Sequence, residues 1–308
     1  MTTKSKSHSK VSAKSSSHNL TKSDTKQTVA DIVTELIISK LEAGCIPWRK
    51  PWNGSQNAPR NLITGKAYRG INAFILGCYG FTSPYFATFK QIVDKKGTLK
   101  KGSKSIPVIF YSVKEVEDRT TGEDVDIFVL RYYRVFNAED IEGIEIPTQE
   151  TFTREFTPIE EAQRIIANMP LCPEIKSGGN RAYYSPSLDY VNLPPENCFH
   201  SNEEFYSTAF HELCHASGHS SRLNRSTVTK SAYFGSTEYS KEELIAEMGA
   251  SFLSATAGIA NTIDNSAAYI KGWISALKSK DNRGLVIQAA SSAQKAMDYI
   301  LGTPAHEA

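Results

Sequence analysis

The chain has 308 residues, 40% of them hydrophobic, and a formal net charge of +2. That is enough apolar material for packed cores and, at roughly 100–200 residues per domain, suggests two domains. No run of about 18 apolar residues is present, which argues against a membrane-spanning helix, and the polar N-terminus has no apolar secretory core. Cys45, Cys78, Cys172, Cys198 and Cys214 are odd in number and scattered, without a C-x-x-C pair. Free thiols in a reducing, cytoplasmic setting are expected rather than a disulfide framework.

Residues 1–26 are rich in Ser, Lys, Thr and His and nearly devoid of apolar side chains, the composition of a disordered basic tail. A helix is expected over 27–43, where Val29, Ile32, Val33, Leu36, Ile37 and Leu41 form one stripe and Gly44 supplies the end. Two Trp-Pro units interleaved with cations follow, then an apolar helical segment near 71–79 and a short helix beginning at Thr88-Phe89. Strands are expected over 106–113 and 126–136, joined by a loop around Thr121–Asp124.

Charge is concentrated in this half. From Arg49 to Lys104 there are eleven Lys or Arg and a single acid, Asp94, interleaved with Trp and Tyr. Cations follow a phosphate backbone, and aromatic faces stack on the exposed bases of a single strand. The candidate contacts are Trp48, Arg49, Lys50, Trp52, Arg60, Lys66, Tyr68, Arg69, Lys100, Lys101 and Lys104. Phe86 and Phe89 are expected in the core. The first unit is thus read as a single-stranded DNA-binding domain over 27–145, followed by a Thr/Pro-rich linker over 146–158.

The second unit, 159–305, opens with Thr157-Pro158-Ile159-Glu160-Glu161, an N-cap followed by proline and first-turn acids. Its helix should stop near Pro170. A hairpin is expected over 182–193, and its edge is a candidate for pairing with an extended peptide. A helix over 203–217 carries His211-Glu212-Leu213-Cys214-His215. At helical spacing His211 and His215 share one face and can hold Zn2+, with Glu212 as general base for a metal-bound water. Gly218 is suited to a left-handed turn at the helix end.

The third ligand must come from elsewhere. A metzincin-type histidine would stand at position 221, which is serine. The next helix, expected over 241–257 with Ser240 as its cap, carries Glu243 and Glu247 four residues apart. Ala246 and Ala250 keep that face small enough for close approach. Glu243 is assigned to the metal and Glu247 to the orientation of a histidine, with the reverse as the alternative. Glu242 reads as a first-turn acid complementing the helix dipole. Tyr233, Tyr239 and Arg222 are nearby donors without an assigned place. Two further helices, near 265–279 and 285–301, complete an α+β chain whose second unit is mostly helical.

These motifs resemble ArdC-type antirestriction proteins of conjugative plasmids and other mobile genetic elements, and the related N-terminal region of TraC-type primases. The resemblance runs through Leu41-Glu42-Ala43-Gly44, Pro47-Trp48, Pro51-Trp52, Asn61 to Asn72, Thr88-Phe89-Lys90-Gln91 and Lys101-Gly102. It continues through the His211–His215 motif, Arg222-Leu223-Asn224-Arg225 and Glu242 to Glu247. It covers about residues 27–302. Cys214 to Ser217 depart from the bulkier stretch usual there, which alters the pocket wall but not the ligands. The resemblance implies a single-stranded DNA-binding first domain, a zincin-like metallopeptidase second domain using Zn2+ or another divalent ion such as Mn2+, and protection of incoming DNA from host restriction. The peptide substrate, in this reading, is an unknown protein such as a host restriction component. The competing reading is a single-stranded DNA-binding protein whose metal domain is structural or catalytically silent.

Overall fold

The computed structural model describes residues 28–44, 46, 48, 58–117, 124–147, 157–229, 237–259, 267–279, 282 and 284–303. The expected tail, Cys45, the 118–123 hairpin loop, most of the linker and Tyr233 lie outside the described residues.

The first helix, α1 (Val29–Glu42), starts at a capping box between Thr28 and Asp31, and Gly44 follows its end at φ 74°. The stripe buries Val33, Ile37 and Leu41. Helix α2 (Ile71–Gly77) is short and mostly buried. Strands β1 (Arg60–Asn61) and β2 (Tyr85–Thr88) run parallel, and α3 (Phe89–Asp94) begins at a second capping box, Thr88 with Gln91. Phe86 is buried as expected. Phe89 is not: at the first position of α3 its ring points outward, 59% exposed.

Strand β3 (Thr98–Leu99) precedes the long strands β4 (Ile106–Glu117) and β5 (Asp124–Asn137) and pairs with β6 (Ile141–Glu142). The main sheet has the order β1-β2-β5-β4. β2 pairs only with Val135 to Asn137, whereas β4 follows β5 from Ile106↔Val135 to Glu117↔Asp124. The hairpin therefore leaves the sheet as a two-stranded ribbon. Asn72 anchors its base, donating to the Ile109 carbonyl at 2.6 Å and accepting from the Ile109 amide at 2.7 Å.

In the second half, α4 (Pro158–Ala167) carries the expected Thr157 cap and N-terminal proline. The expected hairpin forms as β8 (Tyr183–Ser185) and β9 (Tyr190–Leu193), and β7 (Glu174–Ser177) adds to it, parallel to β9, in the order β7-β9-β8. Helices α5 (Asn202–Ala216), α6 (Ser226–Thr229), α7 (Thr237–Ala257), α8 (Ala267–Lys278) and α9 (Leu285–Ile300) follow. No helix among the described residues is long and apolar enough to cross a membrane.

The two halves are not packed as separate bodies. The largest core joins Val33, Ile37, Trp48, Phe74 and Val108 from the first half to Leu244, Met248, Phe252, Trp273 and Val286 from the second. Phe74 stacks on Phe252 at 4.4 Å, and Trp48 meets Trp273 edge-on at 5.3 Å. A second core, under α4, α5 and the small sheet, belongs to the C-terminal half alone.

Candidate metal centre and nucleic-acid surface

Helix α5 is fixed at its start by Ser201, which accepts the Glu204 amide, and along its length by buried Ala209, Phe210, Leu213 and Ala216. Those apolar positions turn His211 and His215 toward α7. The two helices come close because the facing side chains are small. Ala246 and Ala250 are fully buried, and a Cβ on Gly249 would stand 2.5 Å from Cys214 Sγ.

That crossing brings three donors together. His211 Nε2 and His215 Nε2 lie 3.1 Å apart, with Glu243 oxygens 3.6 Å from the first and 3.7 Å from the second. In a tetrahedral site with metal bonds of about 2.0–2.1 Å, donor atoms stand about 3.4 Å from one another. His211, His215 and Glu243 match three corners of such a site, their ligand atoms all within 4.8 Å. The other nitrogen of His215 faces Glu242 at 3.1 Å. A proton on that nitrogen leaves the Nε2 lone pair aimed at His211 Nε2, an arrangement that a shared cation stabilises. Glu212 is buried beside this group on α5.

The carboxylates dominate the local field. Burial disfavours a charged His211, but the hydrogen bond to Glu243 and the charges of Glu247, Glu212 and Glu243 outweigh it, and its pKa is pushed up to about 9. Burial likewise opposes ionised Glu243, yet His211, His215 and a hydrogen bond with Tyr239 hold it below the usual range. For Glu242, burial is outweighed by His215 and Arg225, and the pKa falls to about 2.

Glu242 is the main correction to the sequence reading. Helix α7 already includes Thr237, so Ser240 is not its cap and Glu242 lies beyond the first turn. Its carboxylate is buried and accepts from Arg225 at 2.6 and 3.2 Å and from Thr227. Arg225 also donates to the Cys214 carbonyl at 2.6 Å and to Ser217 Oγ at 2.8 Å. The histidine-orienting role read for Glu247 is thus filled for His215 by Glu242, while Glu247 faces His211 Nδ1 at 3.8 Å. Only the two adjacent acids and the upstream Arg225 in the sequence hinted at this. Gly218 is corrected as well. It does not adopt positive φ; it leaves room for Arg225 and Val228, whose atoms a Cβ would meet at 2.9 and 2.5 Å. Arg222 is committed elsewhere, to Asp189 at 3.2 Å and to the carbonyls of Ala216 and Leu171.

The candidate DNA contacts divide. Arg49, Lys50 and Trp52 lie outside the described residues. Trp48 and Tyr68 are corrections, because both rings are buried and offer no face to a base. Trp48 is fully enclosed against Phe74 and Trp273, and Tyr68 meets Phe86 edge-on. Arg69 is turned to the C-terminal half, bound to Asp298 at 2.5 Å. Lys66, Lys101 and Lys104 are exposed, Arg60 is half-buried, and Lys100 donates to the Glu139 carbonyl at 2.6 Å. Missed altogether was the run Arg131-Tyr132-Tyr133-Arg134, all four exposed on β5. Its signal was two adjacent aromatics between arginines in a strand, downstream of the basic window.

Residues 27–136 match the N-terminal domain of anti-restriction factor ArdC, and residues 160–292 match a zincin-like metallopeptidase family. The crystal structure of the antirestriction protein ArdC of plasmid R388 in its metal-free form superposes with a TM-score of 0.71 at 36% identity, covering 88% of this chain and 96% of that one. The chain belongs to the ArdC family of antirestriction proteins. The Mn(II)-bound form of R388 ArdC matches at 34% identity and a TM-score of 0.71, over 91% of this chain and all (100%) of that one. The uncharacterized protein y4eC of Sinorhizobium fredii is 32% identical, covering 91% of this chain and 95% of its own length. A DNA primase TraC of Escherichia coli is 35% identical over 90% of this chain, which spans only 20% of that primase. The ArdC architecture accounts for the two matched segments and for the mixture of helix and sheet.

Proposed function

We propose that this chain is an antirestriction protein of a mobile genetic element that binds single-stranded DNA and hydrolyses peptide bonds with a divalent metal held by His211, His215 and Glu243. The observation that carries the reading is the convergence of both Nε2 atoms and the Glu243 carboxylate on one point. Two imidazoles and a carboxylate suit Zn2+, and the same donors accept Mn2+, the ion bound by R388 ArdC. A bound ion of this kind supplies a water of lowered pKa and polarises a peptide carbonyl.

The chain's own residues do the rest. Glu212 accepts the proton from the attacking water and passes it to the leaving amine. Glu242, held by Arg225, fixes His215. Tyr239 hydrogen-bonds to Glu243 and fixes that carboxylate. Strand β8 is an edge of its sheet, next to α5, and offers backbone groups to an extended peptide. The peptide belongs to a host protein that threatens the incoming strand, such as a restriction component.

The test combines metal analysis with activity. Purified protein should hold one zinc or manganese per chain, lost in Glu243→Ala. Glu212→Gln should keep the metal and lose cleavage in an unbiased peptide screen. Full metal content in Glu243→Ala refutes the ligand set. Wild-type protein that binds metal but cleaves nothing, while still protecting DNA, leaves the metal domain catalytically silent.

A further inference from the structure

The buried positions of Trp48 and Tyr68 remove two of the aromatic faces that the basic window offered. The β4–β5 ribbon supplies others. Tyr133 and Phe110 are 46% and 44% exposed. Directly opposed residues of an antiparallel pair share a face, as do residues two apart on one strand. The register pairs Phe110 with Arg131 and Val108 with Tyr133, so Phe110, Tyr133 and Arg131 stand together on one face. The two rings meet edge-on at 5.2 Å. On the same face, toward the sheet, Ile106, Val108 and Val135 are buried in the main core. The rings begin where that core ends, so they are not its outer wall.

The charge along the two strand segments that carry them has one sign. Neither Lys100 to Phe110 nor Ile127 to Asn137 contains an acid, while Lys104 and Arg134 lie at the ribbon's base. Farther out, the two strands carry Glu115, Glu117, Asp124 and Asp126 against Lys114. A polyanion is therefore attracted at the base and repelled toward the tip.

We propose that the Phe110–Tyr133 pair and Arg131 form a stacking platform for single-stranded DNA, which crosses the ribbon at its base. Bases stack on the two rings and Arg131 meets a phosphate. A duplex, with its bases already stacked, gains only the charge contacts. This rests on the DNA-binding reading above and gives it a location. A protein partner would use the same rings, but the absence of acids over both basal segments, with acids only farther along the two strands, favours a phosphate chain.

The experiment is fluorescence anisotropy of the full-length protein with a labelled oligothymidylate and with a duplex of matched length, across a salt series. Phe110→Ala combined with Tyr133→Ala should weaken single-strand binding by roughly 5- to 150-fold for each stack lost, and Tyr133→Phe should not. Arg131→Ala should lower the slope of log affinity against log salt by about 0.7. Tyr132→Ala, on the opposite face, should leave affinity within about twofold. Metal content and melting temperature report whether each variant is folded. Arg131→Glu, beyond the core, is the safeguard if the double variant unfolds, and it should weaken binding more than Arg131→Ala. Wild-type affinity in the ring variants overturns the platform while the DNA-binding reading stands, and assigns the rings to a protein contact. An equal loss in Tyr132→Ala overturns the assignment to one face. A wild-type protein that binds no single strand removes the DNA-binding reading, and the platform with it.

Discussion

Glu242 does more for the candidate metal centre than its neighbours in sequence suggest. It accepts from Arg225 and Thr227 and faces His215 Nδ1, so the imidazole is held in one tautomer and one orientation. Loss of such an outer partner typically lowers metal affinity 10- to 100-fold. Glu242→Gln should show a drop of about that size in a chelator competition, smaller than the loss in Glu243→Gln. Glu242→Ala should also lower the melting temperature of the metal-free protein, because it leaves the Arg225 guanidinium, only 10% exposed, without its carboxylate. Asp189 serves Arg222 in the same way. Burial raises its pKa, but Arg222, Tyr184 and His219 hold it below the ordinary carboxylate value. A carboxylate depressed on folding contributes stability that is present above its unfolded pKa of about 3.9 and lost as pH falls through the folded value. Asp189→Asn should therefore be less stable than wild type in urea at pH 7, with the gap closing below about pH 4. At this scale the clustering of His211, His215 and Glu243 was legible from spacing, with Glu247 as the alternative to Glu243. Glu242 and Arg225 were not, because their partnership spans 17 residues and depends on where α7 begins.

The α5–α7 crossing turns those residues into a site, and its tightest point is Gly249 against Cys214. A Cβ at Gly249 would lie 2.5 Å from the Cys214 sulfur but 3.4 Å from its Cβ, so the clash is with the sulfur. Gly249→Ala should cost about 1–3 kcal/mol, as overpacking does, and should weaken metal binding by displacing Glu243. Adding Cys214→Ala removes the sulfur and should recover most of both losses, so thermal melts of the four proteins should show strong coupling between the two positions. Absence of coupling would place the strain elsewhere. Elements with strong local signals were readable in advance: α1 from its apolar stripe, α4 from its cap and proline, and β8 and β9 as the arms of a hairpin. β7 was not, since Glu174, Ile175, Lys176 and Ser177 are all exposed and show no alternation to read. The early start of α7 was hidden because Ser240 to Glu243 imitates a capping box inside a longer helix.

The sequence divides into two family-matched segments with a Thr/Pro-rich stretch between them, which suggests that they could be separated. The packing says otherwise. Helix α7 holds Glu243 and Glu247 in its first half and Leu244, Met248 and Phe252 along the face that enters the shared core. The same helix therefore presents the candidate ligand Glu243 on one side and supports the N-terminal half on the other. Arg69 with Asp298, and the Gly70 amide with Gln294 at 3.1 Å, tie α9 to the first half as well. Cutting at the linker would expose the α7, α8 and α9 side of that core, including Phe252, Trp273 and Val286. Burying a large apolar side chain is worth about 1.5–3 kcal/mol, so losing several is comparable to the typical 5–15 kcal/mol stability of a domain. A fragment of residues 157–308 should be insoluble or bind a hydrophobic dye, whereas the full chain should unfold in one cooperative transition. Because one core serves both halves, metal binding should protect amides of α1 and α2 from hydrogen exchange through the global unfolding equilibrium. Protection confined to α5 and α7, with a soluble and metal-binding fragment, would show two independent domains. Shared protection would mean that metal bound between α5 and α7 stabilises the N-terminal half, where the proposed DNA platform lies.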